Sequence, residues 1–149
     1  FTETNMALSP DGNWLAYQSD ESGANQVFVR PFPDVESGLW QVSRAGGQWP
    51  EWGPEGDELF YVSSNGEFIA TRVQTDPTFS VGTEEGLFEA DDFYFGPRDG
   101  YAVSPDGDRF LMLRTGGLSG DPEDIGPDRP QLNVVQDWYQ ELVQRVPVP

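Results

Sequence analysis

The chain has no cysteine, no histidine and no lysine, so its eight basic residues are all arginine. Each absence removes a class of chemistry. Without Cys there is neither a disulfide nor a thiolate ligand, and without His there is no imidazole ligand and no Ser-His or Cys-His nucleophile pair. No other catalytic constellation stands out, so we assign no catalytic, cofactor-binding or metal-binding residue and expect a non-enzymatic protein. The lack of Cys leaves the redox compartment open. Basic charge is scarce too: 26 acids against 8 bases give a net charge of −18. A phosphate backbone needs a basic face to displace its counterions, and no run of Arg supplies one, which excludes nucleic acid as a partner. An anionic membrane would repel the same surface. Long apolar runs are missing as well, which argues against insertion of a helix across a bilayer. An acid-rich, Lys-free surface fits a protein living in high salt or outside the cell, and fits equally a genome that prefers Arg codons. We expect an extracytoplasmic location, periplasmic or extracellular. The chain starts at Phe1 with no initiator Met and no signal peptide, so it is expected to be a processed product or, the reading we favour, a piece of a longer polypeptide.

What the chain does contain is one short pattern three times: Ser9-Pro10-Asp11-Gly12 before NWLAY, Gly53-Pro54-Glu55-Gly56 before DELFY, and Ser104-Pro105-Asp106-Gly107 before DRFLM. The starts lie 44 and 51 residues apart, a period that suits one four-stranded propeller blade and exceeds that of the common helical repeats. In each turn the proline presets the backbone at the second position, the acid accepts hydrogen bonds from nearby amides, and the glycine takes a positive φ. Pro10, Asp11, Gly12, Pro54, Glu55, Gly56, Pro105, Asp106 and Gly107 are therefore structural turn residues. With 149 residues the chain supplies three blades, one short of the smallest closed ring.

Aligned on the turns, the flanks show the alternation of half-buried strands. Met6, Pro50 and Tyr101 share one column, and Leu8, Trp52 and Val103 the next on the same face. Beyond the turn, Leu15, Leu59 and Phe110 correspond, as do Tyr17, Tyr61 and Met112. All are expected in the core. Third strands are read at NQVFVRPF, EFIATRV and LNVV, and fourth strands at LWQVS and near GLFEA, with none in the last repeat. The expectation is an all-β chain of eleven strands in three antiparallel sheets, an open or partial propeller. Blade one covers about 4–46, blade two about 47–92 and the incomplete blade three about 99–136. The spacing of Val135, Trp138, Tyr139, Leu142, Val143 and Val146 predicts a short amphipathic helix, placing helix and tail at about 137–149. Residues 118–130 and 91–99 read as long exposed connections.

From about Met6 to Trp138 the chain resembles the TolB-like β-propeller repeat family. The resemblance rests on SPDGNWLAY, on NQVFVRPFPD followed by LWQVSRAGGQWPEWGPEGDELFYVS, and on YAVSPDGDRFLM, which look like the C-terminal blades of propellers fused to bacterial serine/threonine kinases and other membrane receptors. It implies that the Ser-Pro-Asp-Gly element joins strands and marks no active site at Asp11, Glu55 or Asp106. Family members usually carry six or more blades, so three leave the ring open. The family's namesake works as a periplasmic binding platform, which implies protein interaction. No GxGxxG, HRD or DFG element occurs, so kinase activity is not expected of these residues.

Paired acids at Asp91-Asp92, at Asp106 with Asp108, and at Asp121, Glu123, Asp124 and Asp128 offer oxygen ligands of the kind calcium takes, but their spacing fits no EF-hand and a solvated acidic loop is the plainer reading. A glycosidase pair has no evident pocket in an incomplete blade set. Three consecutive aromatics at Phe93, Tyr94 and Phe95 put one or more on an outward face of any extended segment, and with Trp138 and Leu142 they are the candidate interface residues. The expected partners are further copies of the chain, joined through blade ends into a ring or filament, or the missing blades of a longer parent such as a receptor kinase; other proteins are also admitted. A serine-peptidase gate is disfavoured by the absence of a GxSxG elbow.

Overall fold

The computed structural model describes residues 1–95, 100–114 and 131–135. Twelve strands among them build three antiparallel four-stranded sheets in series, with no helix among the described residues. The first sheet is a meander of β1 (Glu3–Leu8), β2 (Trp14–Ser19), β3 (Gln26–Pro31) and β4 (Trp40–Gln41). The second repeats it with β5 (Gln48–Trp52), β6 (Glu58–Val62), β7 (Glu67–Gln74) and β8 (Ser80–Glu89). In the third, β10 (Tyr101–Val103), β11 (Phe110–Arg114) and β12 (Gln131–Val135) pair in order, and β9 (Phe93–Tyr94) joins the far end of β11. First strands converge, β1 lying against β5 and β5 against β10, so the sheets pack face to face as propeller blades do.

The repeated tetrapeptide makes the same hairpin each time. The Gly12, Gly56 and Gly107 amides donate to the Ser9, Gly53 and Ser104 carbonyls at 2.9, 3.0 and 2.9 Å, and the three glycines have φ of 75°, 76° and 76°. Ser9 Oγ and Ser104 Oγ accept from the Trp14 and Arg109 amides at 2.9 and 3.0 Å while donating to Asp11 and Asp106. Those carboxylates in turn accept from the Asn13 and Asp108 amides.

Alternation along the strands then builds two seams. In the first, Ala7, Ala16, Val27, Val29 and Val42 of one sheet meet Trp52, Leu59, Tyr61, Ile69 and Val73 of the next. In the second, Phe60, Val62, Phe68 and Ala70 meet Phe110 and Met112, with Tyr101, Val103 and Phe93 packed alongside. The middle sheet is covered on both sides, which is why Leu59, Phe60, Tyr61 and Val62 are consecutive buried residues instead of an alternating row.

Tyr17, Leu59, Tyr61, Phe110 and Met112 are buried as expected, and Leu15 is half-buried. Met6 and Leu8 are corrected: they are 69% and 49% exposed, because their counterparts Pro50 and Trp52 are buried by a preceding sheet and no described sheet precedes the first. The strand count rises from eleven to twelve through β9, drawn from the aromatic connection because the end of β11 beyond β10 leaves backbone groups to be paired. It gives the third sheet a fourth strand, on the side of β10. β8 begins at Ser80, earlier than GLFEA, since its acidic stretch Glu84-Glu85 still pairs with β7. The C-terminal helix with Trp138 and Leu142, and the loop 118–130, lie outside the described residues.

Candidate functional site

Two features of the blades stand out: the irregular point on each first strand, and the faces at the two ends of the series, on which no described sheet packs. Between the pairs Thr4↔Gln18 and Ala7↔Ala16, and between Gln48↔Val62 and Glu51↔Phe60, two residues oppose one, so β1 and β5 each carry a bulge. Asn5 and Trp49 occupy the same repeat position there and take φ of 51° and 54°, a conformation that is strained for Trp. In the third sheet the same point falls between the pairs Tyr94↔Leu113 and Tyr101↔Met112. Gly100 is the residue aligned with Asn5 and Trp49, and a Cβ there would stand 3.6 Å from the Trp49 ring.

These positions converge on a cavity of about 50 Å³ lined by Asn5, Met6, Trp49, Pro50, Glu51, Gly100 and Tyr101, enough for roughly one water. Gln18 Oε1 accepts from Asn5 Nδ2 at 2.9 Å and from the Trp49 amide at 3.4 Å, and the Tyr101 hydroxyl donates to the Trp49 carbonyl at 2.9 Å. Burial pushes the Tyr101 hydroxyl well above its ordinary pKa. Glu51 opens to solvent on one side, yet the protein around its carboxyl removes enough water to push its pKa up. The residues align one column before Met6, Pro50 and Tyr101; Asn5 is of a type that tolerates positive φ and Trp49 is not, so residue type gave no common signal at this column.

The turns line up along one rim, each next to its predecessor: a Cβ on Gly56 would lie 3.6 Å from Pro10 and one on Gly107 3.3 Å from Pro54. Behind the second and third turns lies a hollow of about 320 Å³ whose acids include Glu55, Asp57, Glu58, Glu85, Asp106 and Asp108, with Arg72 3.8 Å from Glu58. Among the described residues no group of three or more acids is placed to hold a metal ion, and the acids at 121–128 lie outside those residues. Ser104 and then the Asp108 amide hold the Asp106 carboxyl down to about 2. Ser9 and the Asn13 amide lower Asp11 in the same way.

Of the aromatic trio, the Phe93 and Phe95 side chains are described and that of Tyr94 lies outside the described residues. Phe93 packs edge-on to Phe88, ring centres 5.9 Å apart, and Phe95 stacks on Trp49 at 4.9 Å, so both half-buried rings fasten the third sheet to the second. Uncovered apolar surface lies elsewhere. Met6 and Leu8 are exposed on the leading face of the first sheet, and Leu111, 41% exposed, stands beside an apolar hollow of about 260 Å³ on the trailing face of the third.

No protein-family model matches the chain, and no curated protein is similar to it in sequence. Solved structures are similar in fold. A putative TolB from Agrobacterium tumefaciens superposes with a TM-score of 0.59 at 18% identity, covering 91% of this chain and 49% of that one. TolB from Acinetobacter baumannii gives 0.56 at 14% identity over 90% of this chain and 30% of its own. An oligogalacturonate lyase from Vibrio parahaemolyticus gives 0.55 at 13% identity over 76% and 30%. The chain spans half or less of the length of these structures, and its fold is the TolB-like β-propeller repeat.

Proposed function

We propose that the chain is an arc of a β-propeller that acts as a non-enzymatic protein-interaction module, and that its open blade faces are the contact surfaces through which copies assemble into a ring or filament. The observation that carries this reading is the pair of dissimilar apolar ends, Met6 and Leu8 at one and Leu111 at the other. Two different faces that fit each other make a heterologous contact, which closes into a ring or continues indefinitely. An extracytoplasmic setting agrees with the acidic, Lys-free composition and with the likeness to TolB structures. The likeness to a lyase carries no activity across, since a chain without His or Cys lacks the usual proton shuttles and nucleophile partners.

Sedimentation of the native protein tests the reading. Species at multiples of 16.6 kDa are expected, and added salt should enlarge them by screening the repulsion of the −18 charge. Dissolution by salt would contradict an apolar contact. Incubation with oligogalacturonate should yield no unsaturated product; turnover would overturn the non-enzymatic part. A second reading, that these are the last blades of a receptor-type sensor propeller, is favoured by the chain matching only 49% and 30% of the TolB structures. It expects a native polypeptide several times heavier.

A further inference from the structure

We infer that the hollow on the trailing face of the third sheet is a socket for Leu8 of a second copy of this chain. This rests on the interaction-module reading and names the partner and its register. At the first seam a cross-strand pair on the trailing face of one sheet forms a floor, and a residue from the first strand of the next sheet caps it. Ala7 and Ala16 are paired directly, and Trp52 covers them, its indole N–H donating to the Ala7 carbonyl at 3.1 Å. Glu51 and Phe60 are the corresponding pair in the second sheet, and Val103 packs in that seam.

The sizes compensate. Two alanines take a tryptophan in the first seam, and the larger Phe60 shares the second with the smaller Val103, as close packing at a fixed spacing requires. In the third sheet the equivalent pair is Ala102 and Leu111, which lines the hollow of about 260 Å³ together with Val103, Ser104, Arg109 and Phe110. A floor of one small and one medium side chain calls for a medium cap. The one repeat position equivalent to Trp52 and Val103 that lacks a floor is Leu8, 49% exposed at the other end of the series. Residue size, apolar character and continuity with two formed seams thus select the leading face of the first sheet as the occupant.

Head-to-tail pairing has a signature in mixtures. Leu8→Glu destroys the cap and keeps the socket; Leu111→Glu destroys the socket and keeps the cap. Leu8 is 49% and Leu111 41% exposed, so both variants should fold with unchanged circular dichroism and melting temperature at low concentration. Each alone should associate at least ~100-fold more weakly than the unmodified chain, because an unpaired carboxylate is driven into an apolar contact. An equimolar mixture should recover a species of two chains and nothing larger, since only one productive seam remains.

Sedimentation equilibrium reads all three samples. Assembly by either variant alone would mean like faces pair with like and would overturn the inference. An assembling parent whose variants do not complement would also overturn it, while leaving self-association through another surface in place. A 16.6 kDa parent at every concentration overturns both pairing and self-assembly. If in that monomer Leu111→Glu alone lowers the melting temperature, the socket is filled from within the same chain and the inference is overturned.

Discussion

The two seams solve one packing problem with different shares of small residues and rings. In the first, alanines and valines of one sheet receive bulky residues from the next, with Trp52 over Ala7 and Ala16 as the extreme case, while Trp14 and Trp40 meet Phe79 at 5.0 and 5.3 Å. In the second, aromatic rings meet from both sides: Phe68 lies 4.9, 4.8 and 4.9 Å from Phe88, Tyr101 and Phe110, and Phe60 lies 4.9 Å from Phe110. The difference teaches that the repeat specifies spacing and turn geometry, while the volume in each gap is shared out locally. It also implies that removing a ring damages the second seam most, and that size exchange is the characteristic test of the first.

The largest effect should come from Phe68→Ala, which empties the centre of the aromatic seam and should cost about 3–5 kcal/mol in urea unfolding. A loss below about 1 kcal/mol would mean that the rings rearrange freely and the seam is not close-packed. Next comes a transplant of the second seam's sizes into the first. Ala16→Phe alone should destabilise by about 1–3 kcal/mol through overpacking, and Trp52→Val by a similar amount through a cavity. Combined, they should recover roughly 0.5–3 kcal/mol relative to the sum of the singles, and strict additivity would show that the two residues do not share one gap.

The turns sharpen the comparison at smaller scale. Gly12→Val and Gly107→Val both force a branched side chain into positive φ, each costing about 1–3 kcal/mol. Gly12 faces open space whereas Gly107 faces the Pro54 ring, so the second variant should lower the melting temperature further. Equal losses would mean that the rim contact between successive turns contributes nothing.

Acid should reveal the smallest effect. Asp106 titrates near 2 in the folded chain against 3.8 as its ordinary value, first because of the Ser104 hydroxyl. A depressed folded value stabilises fully above the unfolded one, and that contribution disappears as pH falls from about 3.8 toward 2. The melting-temperature gap between the parent and Asp106→Ala should therefore be constant above that window and narrow within it. A gap that holds steady down to its lower end would contradict the hydrogen-bonded carboxylate.

How much of this was legible in the sequence follows from range. The hairpins were readable because Pro, Asp and Gly act on their own backbone within four residues, and the buried columns followed from period two on either side. The exposure of Met6 and Leu8 was not readable in the same way, because a column reports which face a side chain takes and not whether a neighbour covers that face. β8 hid its length because an outer strand needs no apolar alternation, and β9 because pairing by backbone leaves little mark on side chains. The socket was invisible for a related reason: Ala102 and Leu111 acquire meaning only after Ala7 and Ala16 are seen under Trp52.

That open ends are contact surfaces is tested most directly by footprinting Met6, Leu8 and Leu111 with a diffusing carbene or hydroxyl radical as protein concentration rises. Met6, Leu8 and Leu111 should become protected together, over one concentration range, while the exposed Phe32 keeps its labelling. Unchanged labelling of all three across concentrations at which the protein sediments as an assembly would contradict it.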